Sequence, residues 1–227
     1  MSTGEVAVVA GAGGALGHAT AAALSGNGLR VVALDRSEHA MRDLPQTSRK
    51  EIADPADPAA VAEAVKRIAR EVGPPAVLVN AVGAFGLGDS LATTSEALHL
   101  MLEANLAAAL WLSQAVAPHM RERGSGAIVH VTARPALEPT AGMTAYSVSK
   151  AALAHLTRIL DLELRPAGIR VNAVAPQLID TAANRASLPA DLMAHAVAPE
   201  AIAAVIAFLA SDAAAPVSGA ILPAYGN

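Results

Sequence analysis

The chain has 227 residues, 53% of them hydrophobic, enough to bury a substantial core in one domain spanning residues 1–227. A formal charge of -4, from 16 basic and 20 acidic residues without a basic stripe, argues against a nucleic-acid partner. No cysteine excludes disulfides and thiolate metal sites, no His/Asp/Glu spacing suggests a metal, and Met1 opens no signal-peptide pattern. The apolar runs are broken by Gly, Pro or charge before reaching the roughly 20 residues of a membrane helix, so a cytoplasmic protein with no membrane partner is expected.

The pattern begins with a Val-rich strand, Val6 to Ala10, followed by GAGGALG and a helix over Ala15 to Ser25. The glycines at Gly11, Gly13, Gly14 and Gly17, with Ala15 and Leu16 between, permit a tight turn. They also let backbone approach a pyrophosphate at a helix N-terminus. A second strand, Leu29 to Leu34, leads into Asp35 about 20 residues on, where a carboxylate can accept from both hydroxyls of an adenosine ribose. Asp35 would repel a 2′-phosphate, whereas Arg36 and His18 could attract one; the balance favours NAD over NADP.

Further strands are expected at Ala76 to Asn80, Ala127 to Thr132 and Ile169 to Val174. Between and after them lie helices at Asp57 to Glu71, Glu96 to Arg121, Ala145 to Arg165 and Pro199 to Ala210. This alternation implies right-handed crossovers and an α/β, doubly wound Rossmann fold, a parallel sheet with helices on both faces. A helix starting near Ala145 places Tyr146 and Lys150 one turn apart on one face. Thirteen of the sixteen basic residues are arginines, so lysine at 150 is a pointed choice: its compact ammonium can serve a ribose hydroxyl and a proton relay.

In order along nearly the whole chain, these features resemble the short-chain dehydrogenase/reductase family. The glycine turn reads AGAGGALG, with Ala10 and Ala15 replacing the usual Thr and middle Gly. Asp54 corresponds to the family's adenine-contacting Asp, and Asn80, Ala81, Val82 and Gly83 to its N-A-G motif. Asn105 matches the helix Asn, Tyr146 to Lys150 the Y-x-x-x-K, and RVNAVAP and the Pro199 to Leu222 tail follow the family pattern. The resemblance implies a sheet of about seven strands and an NAD(P)-dependent oxidoreductase acting on a small-molecule substrate. Tyr146, Lys150 and Asn105 would be catalytic, with Asn105 holding a kink and a water leading from Lys150. Pro176 and Thr181 would lie at the nicotinamide side, although Gln177 replaces the usual Gly and Thr181 has a second reading as a helix cap. A tyrosine of pKa about 10 needs the charges of Lys150 and an oxidised nicotinamide to act near neutrality. Members commonly form homodimers or homotetramers through helices matching Glu96 to Arg121 and Ala145 to Arg165, which carry extra apolar residues here.

Ala133 is the departure. It aligns with the serine that bonds the substrate oxygen, and Thr132, on the opposite strand face, would need a bulge to replace it. Loss of such a donor elsewhere costs a factor of about 10² to 10³. Three outcomes are open: hydride transfer to a carbonyl with Tyr146 as the only side-chain acid; reduction of a conjugated imine or pterin, as in the dihydropteridine reductases, which share this Ala; or a weakly catalytic or non-catalytic dinucleotide-binding sensor or partner subunit. Segments 83–91, 134–143 and 184–198 are expected to line the substrate pocket, with Phe85, Arg134, Glu138 and Met143 as candidates. His130 reads as a structural histidine.

Overall fold

The computed structural model describes residues 4–44 and 49–226. Its strands are β1 (Val6–Ala10), β2 (Arg30–Asp35), β3 (Arg49–Ile52), β4 (Pro75–Asn80), β5 (Gly126–Val131), β6 (Ile169–Pro176) and β7 (Ile221–Ala224). They pair in parallel in the order β3-β2-β1-β4-β5-β6-β7. The helices are α1 (Ala15–Gly26), α2 (Pro58–Glu71), α3 (Ser95–Leu102), α4 (Ala108–Arg123), α5 (Thr144–Leu164), α6 (Ala182–Ser187), α7 (Ala190–Met193) and α8 (Pro199–Ala210).

Because alternate strand residues face opposite ways, the core divides into two slabs. Val9 and Val79 meet Leu16 and Leu24 of α1 and Ile202 and Ile206 of α8 on one side. Val8, Leu78 and Ile128 meet Val61 and Ile68 of α2, Leu112 and Met120 of α4 and Leu160 of α5 on the other. This is the doubly wound architecture expected. The strand order reverses between β1 and β4, and in such sheets ligands bind at the carboxyl ends of the strands beside that reversal.

Strand β3 departs from the strand pattern: RKEI has no Val-rich run. It is an edge strand registered against β2, and its buried Glu51 is held by the Arg67 guanidinium (Nε to Oε1 2.8 Å). Asp57, expected as the first residue of its helix, caps it instead by accepting from the amides of Ala59 and Ala60, with Pro58 at the first helical position.

The expected single helix over Glu96 to Arg121 is also modified. A π-helical turn, Glu103–Ala107, separates α3 from α4. The continuous segment Ser95–Arg123 is 29 residues long and contains an 18-residue stretch with a mean hydropathy of 1.3, so by length and composition one helix does reach what a bilayer needs, which corrects the expectation that none would. In this fold the segment packs against the sheet through Ala108, Leu112, Val116 and Met120, all buried.

Candidate active site

The glycine turn is packed too closely against neighbouring backbone to accept larger side chains. Gly11 has φ +75°, and a Cβ there would lie 2.8 Å from Ala81 C and Val82 N; a Cβ at Gly17 would collide with the Gly11 carbonyl oxygen. The turn therefore sits directly against the end of β4, where Ala81 donates to the Ala10 carbonyl. Gly14 starts α1 with no side-chain cap, leaving its first amides to an outside anion. Leu16 contributes only its backbone here, because its side chain belongs to the core.

Asp35 ends β2 beside this turn. Its carboxylate accepts from the Gly13 amide (3.0 Å) and the Ser37 amide (3.1 Å), which holds its charge next to the expected ribose position. Arg36 is exposed, and His18 bonds the Asp43 carbonyl oxygen at 2.9 Å. The amide of Ala53 bonds the Asp35 carbonyl, which brings Asp54 alongside; the Asp54 carboxylate itself accepts from the Ala56 amide (3.0 Å).

Asn105 and Lys150 are buried on either side of Gly83, and half-buried Tyr146 is tied to Asn105 through its backbone carbonyl. Asn105 lies in the π-helical turn, fully buried, and its amide clasps the Ala84 backbone in both directions (Oδ1 from Ala84 N 2.9 Å, Nδ2 to Ala84 O 3.0 Å). Its Nδ2 also donates to Ser149 Oγ (2.9 Å), and that hydroxyl donates to the Tyr146 carbonyl (2.8 Å). The kink thus ties α5 to the loop after β4. Ser149 was not among the expected site residues; its place inside Y-x-x-x-K was the available signal.

Lys150 reaches back from α5 to donate to the Val131 carbonyl (2.9 Å) at the end of β5. Gly83 leaves room for it: a Cβ there would be 2.7 Å from Asn105 Oδ1 and 3.0 Å from Lys150 Nζ. Burial pushes Lys150 down to about 8 and the Tyr146 phenol up to about 12. Desolvation of the phenol dominates in the protein alone; the lowering expected from Lys150 and an oxidised nicotinamide together needs the cofactor's charge as well. Phe85 meets the Tyr146 ring edge-on, with centroids 5.0 Å apart at 75°.

Ala133 is 3% exposed and extended (φ −160°, ψ 160°), so its methyl occupies a serine-compatible backbone without offering a donor. Thr132 cannot replace it in this conformation: the residue is buried and its hydroxyl donates to the Val174 carbonyl at 3.1 Å. Thr132 therefore does not stand in for the serine, and the cause is the strand alternation that turns it from Ala133's side.

The expected walls take shape from the two loops next to α5. Gly88 and Met143 bridge their segments, with Gly88 N to Gly142 O at 2.8 Å and Thr144 N to Gly88 O at 3.0 Å. Arg134 binds Glu138 (Nε to Oε2 2.7 Å) and Gln177 (Nη1 to Oε1 2.8 Å), and its guanidinium lies 4.8 Å from the centroid of the Tyr225 ring. Gln177 and Tyr225 were not foreseen as rim residues. The third segment is laced instead to the loop after β6, by Asp180 N to Val197 O at 2.9 Å. In that loop Pro176 is buried, and Thr181 caps α6 by accepting from the Asn184 amide (3.1 Å), as its second reading held. His155 and His195 are exposed, and no group of His, Asp or Glu among the described residues could hold a metal.

Comparison with known proteins places this geometry. The family model described as short chain dehydrogenase matches residues 5–191. The chain is 38% identical to cis-4-hydroxycyclohexanecarboxylate dehydrogenase of Sinomonas cyclohexanicum, covering 98% of this chain and 96% of that protein. It is 36% identical to galactitol 2-dehydrogenase of Rhizobium johnstonii (96% and 93% covered) and 33% identical to human L-xylulose reductase (99% and 96%). A solved short-chain dehydrogenase/reductase from Burkholderia xenovorans, described there as putative, superposes with a TM-score of 0.93 at 28% identity, covering 99% of this chain and 96% of that one. With its seven parallel strands, glycine turn and Tyr146–Lys150 pair, the chain belongs to the short-chain dehydrogenase/reductase family of NAD(P)-dependent oxidoreductases.

Proposed function

We propose that the protein interconverts a small secondary alcohol and its ketone, using NAD in preference to NADP, with Tyr146 as general acid and base. The observation that carries this reading is the pair of buried side chains Asn105 and Lys150 flanking Gly83, with Tyr146 one turn before Lys150 on α5 and the glycine turn at the end of β1 nearby in the sheet. The preference for NAD rests on the Asp35 carboxylate, fixed by two backbone amides where a 2′-phosphate would meet it. The substrate class is supported by relatives named for an alicyclic hydroxy acid and for polyols. A bound nicotinamide would supply the hydride chemistry and, when oxidised, a positive charge near the phenol.

The chain's own residues then have separable tasks. The Tyr146 oxygen takes the proton from a substrate hydroxyl, or returns one to a carbonyl oxygen. Lys150, anchored on Val131, would hold the nicotinamide ribose and lend charge to the phenolate. Asn105 keeps Ala84 and the start of α5 in register. The Phe85 ring shields one edge of the phenol from water. The apolar positions exposed on α5, Val148, Ile159 and Leu162, support assembly as a homodimer or homotetramer, and a cytoplasmic setting accords with a chain lacking cysteine.

One observation supports a second substrate class, a conjugated imine or pterin: neither Ala133 nor Thr132 has a hydroxyl to give to a carbonyl oxygen. The test is a panel of polyols, alicyclic hydroxy acids, simple ketones and a dihydropterin, with NAD(H) and NADP(H), followed by absorbance of the reduced nicotinamide. Turnover of alcohols with NAD supports the first reading, and turnover confined to the pterin supports the second. Dinucleotide binding without turnover of any class would contradict both.

A further inference from the structure

His130 and Asn80 are paired residues of β5 and β4, two positions beyond Ile128 and Leu78, so both side chains face the slab covered by α4 and α5. Both are completely buried. Asn80 accepts from the Val82 amide through Oδ1 (3.1 Å), which fixes the amide orientation and leaves Nδ2 as a donor with no partner among the described residues. His130 Nε2 lies 3.5 Å from Ser113 Oγ, whose own proton goes to the Ala109 carbonyl (2.7 Å). The serine oxygen therefore accepts, the imidazole carries its proton on Nε2, and Nδ1 is left as an acceptor without a partner. Burial, and then the charge of Lys150, holds this imidazole down to about 3, so it is neutral in all working conditions.

An unmatched donor and an unmatched acceptor on neighbouring strands, facing the same way, are the two ends of one missing link. A buried water that donates to one group and accepts from the other supplies it, as internal waters commonly do. We propose that Asn80 and His130 hold one internal water between β4 and β5, and that the chain Ser113, His130, water, Asn80 positions Lys150. The route to the lysine is short. Val131, whose carbonyl receives Lys150 Nζ, is the residue after His130, and Val82, held by Asn80, precedes Gly83, against which the same ammonium rests. His130 is thus a positioning residue that fixes the two strand ends between which the ammonium sits. The functional half of this inference rests on the role assigned to Lys150 above; the water does not.

Two measurements test it. A high-resolution crystal structure of the protein, with or without NADH, should show an ordered water within about 2.7 to 3.2 Å of both Asn80 Nδ2 and His130 Nδ1. A direct bond between the two side chains, or a dry contact, overturns the water. NADH titration by fluorescence, with turnover on the best alcohol from the panel, should find His130→Leu weakened about tenfold in NADH affinity and lowered about tenfold in kcat. KM for the alcohol should move by less than about twofold. His130→Asn, which restores a donor and an acceptor, should recover most of both losses. Should His130→Leu fail to fold, Ser113→Ala removes only the imidazole's acceptor and should show a smaller loss in the same sense. Folded His130→Leu or Ser113→Ala with wild-type affinity and kcat overturns the positioning role. If the wild type binds no nicotinamide dinucleotide, the proposed function fails instead, and the crystallographic water decides this inference by itself.

Discussion

Ala133→Ser adds one hydroxyl at the position that the resemblance to the family aligns with its substrate-binding serine. The backbone there is extended and the residue 3% exposed, so the serine needs no backbone change but places its hydroxyl in a buried spot. If no partner meets it, the cost is about 1 to 3 kcal/mol of stability. With a carbonyl substrate bound, the hydroxyl becomes a second donor beside Tyr146, a contribution of about 2.7 to 4 kcal/mol where such donors act fully, or about 10² to 10³ in kcat. Since the site was not shaped around this group, a gain of about 10 to 10² for a ketone with NADH is expected, with a denaturation midpoint slightly below wild type. The assay is steady-state reduction of the best ketone in the panel, alongside a dihydropterin whose rate should stay within about twofold of wild type. An unchanged ketone rate in a folded variant that binds NADH would refute the view that the missing hydroxyl limits this site.

Other substitutions probe other parts. Asp35→Asn removes the charge and keeps an acceptor for only one of the Gly13 and Ser37 amides, so the ratio of NADP to NAD affinity should rise about tenfold in a fluorescence titration. Lys150 is displaced from 10.5 down to about 8, so the folded state carries a desolvated charge below pH 8 and releases its proton between 8 and 10.5, where the unfolded chain still holds it. Stability of the cofactor-free wild type should therefore rise with pH across that window. Lys150→Met should lose this rise and be more stable near neutrality by up to about 3 kcal/mol in denaturant titrations, though inactive. Asn105→Ala strands the Ala84 amide and carbonyl and removes the donor to Ser149 Oγ. It should cost about 2 to 4 kcal/mol in stability and reduce kcat more than KM.

The central strands were legible because burial on both faces leaves Val-rich runs in the sequence, and the glycine turn because its sterics tolerate little else. Strand β3 was not, since an edge strand takes its conformation from pairing with β2 and can be as charged as RKEI. Asn105 was recognisable as a poor helix former in mid-helix, yet its π-helical turn follows from the tertiary clasp on Ala84 and Ser149, which local periodicity does not encode. Strand alternation already turned Thr132 from Ala133's side; only the structure supplied the Val174 carbonyl that occupies its hydroxyl. The rim formed by Arg134, Gln177 and Tyr225 joins three segments distant in sequence, so no local signal announced it. The direction of the Tyr146 shift was hidden for a similar reason, because burial is a property of the fold.

The most direct test of the account is Tyr146→Phe, which removes the phenol oxygen and keeps the ring packed edge-on against Phe85. With NADH affinity within about threefold of wild type, turnover of the best substrate should fall at least about 10²-fold, within the range assigned to a positioned acid or base. A folded Tyr146→Phe that binds NADH and turns over at the wild-type rate would contradict it.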